Sequence, residues 1–102
     1  MRQVGSGKYI GETKDYSFFF LALLGPTETI STAVGSATVF SGNDPSPGNI
    51  ISGGATISGP TVVQAITGGV VGTIYDVAMT IVTSLGQTLQ INQMIPVFAG
   101  QP

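Results

Sequence analysis

The hydrophobic pattern of this chain is one of short strands, and it is clearest in the second half. Over residues 73–84, Tyr75, Val77, Met79 and Ile81 fall on one side of an extended chain, with Asp76, Ala78 and Thr80 on the other. That is the period of a strand with one buried face. Over residues 88–97, Leu89, Ile91, Ile95 and Val97 share one face in the same way. The intervening Leu85-Gly86-Gln87 predicts a hairpin in which Gly86 supplies a positive φ. Pro96 predicts an edge position or the end of the strand. Residues 61–67 (TVVQAIT) read as a short strand bounded by Gly59-Pro60 and Gly68-Gly69. Upstream, residues 50–58 predict a strand interrupted by a bulge at Gly53-Gly54, and residues 29–40 a strand with Gly35 near its middle. Residues 42–48 (GNDPSPG) are a dense loop signal. The first strand falls on residues 16–24 (YSFFFLALL) and is broken by Gly25-Pro26. No stretch carries a helical period.

Two apolar features stand out. The first strand is apolar on both faces, with Tyr16, Phe18, Phe20, Ala22 and Leu24 on one and Phe19, Leu21 and Leu23 on the other. Either the second face lies under a loop or the N-terminal segment, or it packs against another protein. Residues 72–77 (GTIYDV) have the form of a turn feeding a strand with an inward Tyr75, as at a tyrosine corner. About seven short strands separated by regular turn signals predict an all-β sandwich over residues 15–102. Residues 1–14, glycine-rich and without a sustained period, predict an extended N-terminal arm, either mobile or docking on a neighbouring subunit.

Charge changes this picture. Apolar residues make up 42% of the chain, enough for a core, while charged residues are only 8%, which excludes a disordered chain. All three basic residues, Arg2, Lys8 and Lys14, lie in the arm. Sheet edges are usually guarded by charges, and this chain has few to spare, so its edges are expected to be covered by an assembly partner. The candidate protein–protein contacts are Arg2, Lys8, Tyr9 and Lys14 on the arm, and Phe19, Leu21 and Leu23 on the first strand. A net charge of −2 offers no footprint for nucleic acid. Residues 16–24 fall short of the ~20 apolar residues that cross a bilayer, so no membrane span is expected. A signal peptide is disfavoured, because Glu12 and Asp15 precede the apolar run and no small-residue cleavage site follows it.

Reactive chemistry is sparse. The chain has no His, Cys or Trp, and its five carboxylates, Glu12, Asp15, Glu28, Asp44 and Asp76, are scattered singly. Imidazole- and thiol-based catalysis and zinc binding therefore lack their residues. Asn43-Asp44 reads as a turn in preference to a calcium loop. No catalytic residue, metal or cofactor is expected.

The series Gly11-Glu12-Thr13-Lys14-Asp15-Tyr16-Ser17-Phe18 followed by Leu24-Gly25-Pro26-Thr27-Glu28-Thr29-Ile30 resembles the opening of small immunoglobulin-like virion proteins of tailed bacteriophages. The Gly68-Gly69-Val70-Val71-Gly72-Thr73-Ile74-Tyr75 segment and the Ser84-Leu85-Gly86-Gln87-Thr88 hairpin are similar to later parts of that family, so the resemblance spans residues 11–97. Family members often carry tryptophans where this chain has Phe20 and Leu23. The resemblance implies an immunoglobulin-like sandwich and a structural role in a virion, either as a capsid accessory or decoration protein or as a neck or tail component. Its partners would be other virion proteins and further copies of itself. The competing expectation is a surface module that binds carbohydrate or a host receptor, with Tyr9 as its first suspect. A third is an exported adhesin subunit.

Overall fold

The computed structural model describes the backbone of residues 2–4 and all of residues 7–99. Its strands are β1 (Arg2–Val4), β2 (Lys8–Tyr9), β3 (Thr13–Phe19), β4 (Ile30–Ser41), β5 (Ile51–Ser58), β6 (Thr61–Thr67), β7 (Ile74–Thr83) and β8 (Thr88–Phe98). They form two sheets. One has the order β1-β8-β7-β4, with β2 also on β8, and the other has the order β3-β6-β5. The all-β sandwich expected from the alternation is what forms.

The alternation works as anticipated in β6, β7 and β8, where every second side chain is buried. Tyr75, Val77, Met79, Ile81, Ile91, Ile95 and Val97 meet Tyr16, Phe18, Phe20, Val62 and Ile66 in one core. The β7–β8 hairpin closes through Thr83 N–H to the Gln87 carbonyl at 2.8 Å and Gly86 N–H to the Thr83 carbonyl at 2.9 Å. Gly86 adopts φ +81°, a region that side chains with a Cβ avoid. The β5–β6 register shifts between Ser52 and Thr56 around Gly53-Gly54, as expected, and β4 also shifts against β7 at Ile30/Thr32 and Val39/Ser41, where no glycine lies.

The first long strand differs from its expected bounds. It begins at Thr13 and stops at Phe19, and Leu21–Leu23 form a 3-10 turn. The ladder to β6 ends at the Phe19–Thr61 pair, because the preceding residue is Pro60 and has no N–H to donate. Phe20 N–H takes the Pro60 carbonyl at 2.9 Å, and the chain then turns, with Leu23 N–H on the Phe20 carbonyl at 2.8 Å. This resolves the two-faced apolar run. Tyr16, Phe18 and Phe20 enter the core, Phe19 and Leu21 face solvent, and Leu23 and Leu24 pack partly against the core edge.

The N-terminal segment lies along the chain's own β8, where β1 and β2 pair parallel to it in turn. Lys8, expected on an outer surface, is 0% exposed. Its Nζ donates to the carbonyls of Gly68 at 2.8 Å and Tyr9 at 2.9 Å. Burial pulls its ammonium below the usual value, while the Glu12 carboxylate pulls the other way. Lys14 Nζ donates to the Gly7 carbonyl at 3.2 Å, and Gln93 Nε2 reaches from β8 to the Ser17 carbonyl on β3 at 2.6 Å. One side of the sandwich is thus laced shut. On the other side, β4 and β5 are the outermost strands of their sheets among the described residues.

Gly35, a liability in a strand by propensity, is required by packing. Gln64 Nε2 donates to the carbonyls of Ser52, Gly53 and Ala65, which fixes its amide and leaves its buried Oε1 without a hydrogen bond. A Cβ on Gly35 would sit 2.8 Å from that oxygen and 3.2 Å from Met79 Cε. Gly35→Ala is therefore expected to destabilise by about 1–3 kcal/mol through overpacking. Chemical denaturation checks this, with Gly35→Ala/Gln64→Ala recovering part of the loss.

Tyr75 forms the anticipated corner. Its hydroxyl accepts from Val70 N–H at 2.8 Å and donates to Asp44 Oδ2 at 2.6 Å. Desolvation, then the bond to Asp44, raises the phenol above its usual value. Tyr75→Phe leaves Val70 N–H unpaired and is expected to lower stability by about 1–3 kcal/mol, read as a fall in thermal midpoint.

Candidate functional site at the two ends of the sandwich

Loops and turns normally carry polar residues, and in this chain they carry large apolar ones. The molecule is elongated, 45 × 22 × 21 Å. At its near end β3 stops, β4 starts and the β5–β6 and β7–β8 turns meet. Phe19, Leu21, Ile57, Val82 and Leu85 are exposed there. At its far end β2 and β8 stop, and residues 68–73 turn from β6 into β7. Ile10, Phe40, Val70, Val71 and Phe98 are exposed there. Among the described residues, only Val34 is a large exposed apolar side chain at the waist. Such exposed side chains, gathered at opposite ends, are the usual mark of protein contact.

The near end is also shaped. Its turn from Gly25 to Glu28 closes with Glu28 N–H on the Gly25 carbonyl at 3.1 Å, and Glu28 Oε1 accepts from Gly25 N–H at 2.9 Å. The other carboxylate oxygen accepts from Thr83 Oγ1, which in turn accepts from Leu85 N–H at 3.3 Å and Gln87 N–H at 3.2 Å. Thr29 and Ser84 exchange two more bonds, 2.8 and 3.0 Å. The loop is therefore zipped to the hairpin, and it holds open a groove of about 450 Å³ lined by Leu21, Leu24, Pro26, Ile30, Ile57 and Pro60, with Glu28 among its walls.

The Gly25 amide, then the Thr83 hydroxyl, hold the Glu28 carboxyl below the ordinary carboxylate range. At the far end the Tyr75 hydroxyl, then the Ser46 amide, do the same for Asp44. A carboxyl whose folded pKa is depressed stabilises the fold above its unfolded pKa and loses that contribution as pH falls through the folded value. Stability is therefore expected to be flat between about pH 5 and about pH 8, where none of these groups titrates, and to fall as pH drops through about 4 and below. Glu28→Gln should flatten part of that descent in thermal melts taken across pH.

The sequence-derived contact candidates separate on this frame. Phe19 and Leu21 stand at the near end, Leu21 being 71% exposed, and Leu23 is half-buried behind them. Lys8 and Lys14 are turned to backbone carbonyls. Tyr9 is half-buried with its ring 5.9 Å from Phe98, so it belongs to the far end. The side chain of Arg2 lies outside the described residues. Sequence reasoning passed over Val70, Val71, Phe98, Phe40, Ile57 and Leu85. A signal was present, since Val70-Val71 sit between Gly68-Gly69 and Gly72, and Leu85 precedes the hairpin glycine.

The family model described as podophage GP4 fiber-tail adaptor protein gp77 matches residues 8–96. No curated protein matches the chain.

Proposed function

This chain belongs to the podophage fiber-tail adaptor family, a tail-associated group of virion structural proteins, and from that membership we propose that it is a two-ended joint between fiber and tail. One end would seat on a tail protein and the other on a fiber protein. The observation that carries this reading is the segregation of exposed apolar side chains to opposite ends of a 45 Å body with a polar waist. An adaptor bound through one face would have needed one patch. The mechanism is association alone: apolar side chains leave water at each end, and a stiff β-sandwich transmits the spacing between them. With so little charge involved, attachment should change little with salt.

The immunoglobulin-like reading is part of the proposal. Its support is that β3-β6-β5 facing β4-β7-β8 has the strand order of the B-E-D and C-F-G sheets of such sandwiches. The Tyr75 corner at the start of β7 adds to it.

Phage grown without this chain tests the function. Particles with filled heads and tails but lacking fibers, by electron microscopy and virion mass spectrometry, are the expected product. A full fiber complement would overturn the reading.

A further inference from the structure

We propose that the near-end groove and the open edge of β4 together receive one extended segment of another virion protein. An apolar side chain of that segment fills the groove, a Lys or Arg beside it faces Glu28, and its backbone adds to β4 as a further strand. This rests on the adaptor reading and specifies the partner chemistry at one end.

Three observations converge on that occupant. The groove walls are aliphatic, and about 450 Å³ is room for a large side chain and its neighbour. No described side chain brings a cation to the carboxylate in the groove. Glu28 is held by an amide and a hydroxyl, while Lys8 and Lys14 are bound to the carbonyls of Gly68 and Gly7 toward the far end. An incoming cation therefore meets no competitor among the described side chains, and charge complementarity selects a basic neighbour to the apolar anchor.

The groove is also continuous with the outer edge of β4, which no described strand extends. Ile30 is both a groove wall and the first residue of β4, and Ile57 lies near the close of β5, so the groove opens where the outermost described strands of the two sheets meet. β4 runs for 12 residues with no charge and no proline, two of the devices that normally discourage strand addition. Its register against β7 is regular from Thr32 to Val39 between shifts at its two ends. The edge of β8, in contrast, is already occupied by β1 and β2. Strand addition supplies affinity through the backbone, and the groove supplies specificity through side chains. A second copy of the chain is a poor occupant, because all of its basic residues lie in the segment that is paired along β8 or laced to it.

The test uses assembled virions carrying a photo-crosslinking amino acid at Leu21 or at Val34, with Val70 as a far-end control, and peptide mapping of what is captured. Leu21 and Val34 are expected to capture nearby residues of one segment from a virion protein other than this chain, with a Lys or Arg within a few residues of the Leu21 capture point. Glu28→Gln, shown to be folded by its melting curve, should reduce incorporation into particles by roughly 30-fold or more, the cost of leaving the partner's charge unpaired in the interface. Capture of another copy alone, capture of a segment without a basic residue, or no capture at Leu21 in particles that contain the chain would each overturn the proposal. In those cases capture of one virion protein at Val70 and a different one at Leu85, elsewhere on the near end, would leave the adaptor reading standing. Absence of the chain from particles would remove both.

Discussion

Phe18→Ala is expected to lower stability by about 3–5 kcal/mol and the thermal midpoint by roughly 15–30 °C. Phe18 is 0% exposed and lies on the inner face of β3 between Tyr16 and Phe20, where the β3 sheet faces Tyr75, Val77 and Met79 of the other. Truncation loses the transfer energy of a buried ring and leaves a cavity that two packed sheets cannot close. A domain of this size holds roughly 5–15 kcal/mol in total, so one ring accounts for a large share. Phe19→Ala, one residue along and solvent-facing, should shift the midpoint by only a few degrees. Paired melting curves of the two variants check the assignment of faces. Equal losses would mean that the two-sided apolar run is buried on both sides.

Val70→Asp/Val71→Asp should leave the fold intact and break attachment. Both side chains are exposed in the turn between β6 and β7. The hydrogen bond that anchors this turn to Tyr75 runs through the Val70 backbone and survives the substitution. Placing two carboxylates in an apolar contact desolvates them without partners. Losses at interface hot spots of about 2–4 kcal/mol correspond to roughly 30- to 1000-fold in affinity. Incorporation of the chain or of its partner into particles should fall accordingly, while the melting midpoint stays within a few degrees. Normal incorporation would take the far end out of the account.

The sandwich was legible in the sequence because β6, β7 and β8 each bury one face and expose the other, a signal that needs only local spacing. The first strand was read too late and too long, because its end depends on Pro60, forty residues away, which cannot continue the ladder. Lys8 gave no warning of burial. Its partner carbonyl on Gly68 is sixty residues away, and nothing in a glycine-rich segment marks a lysine as interior. Of the site, Phe19 and Leu21 were visible as surplus apolar residues on a strand that already had a buried face. Val70, Val71 and Leu85 were equally unusual as apolar residues inside glycine-marked turns, but their meeting at opposite ends follows only from topology. The groove was invisible for the same reason, since its walls come from residues 21–30 and 57–60.

The most direct measurement of the central claim is site-specific crosslinking in intact virions from one residue at each end, Leu85 at the near end and Val70 at the far end. The account predicts two different virion proteins, one captured from each end. Capture of the same protein from both ends, or from one end only, would contradict a two-ended joint.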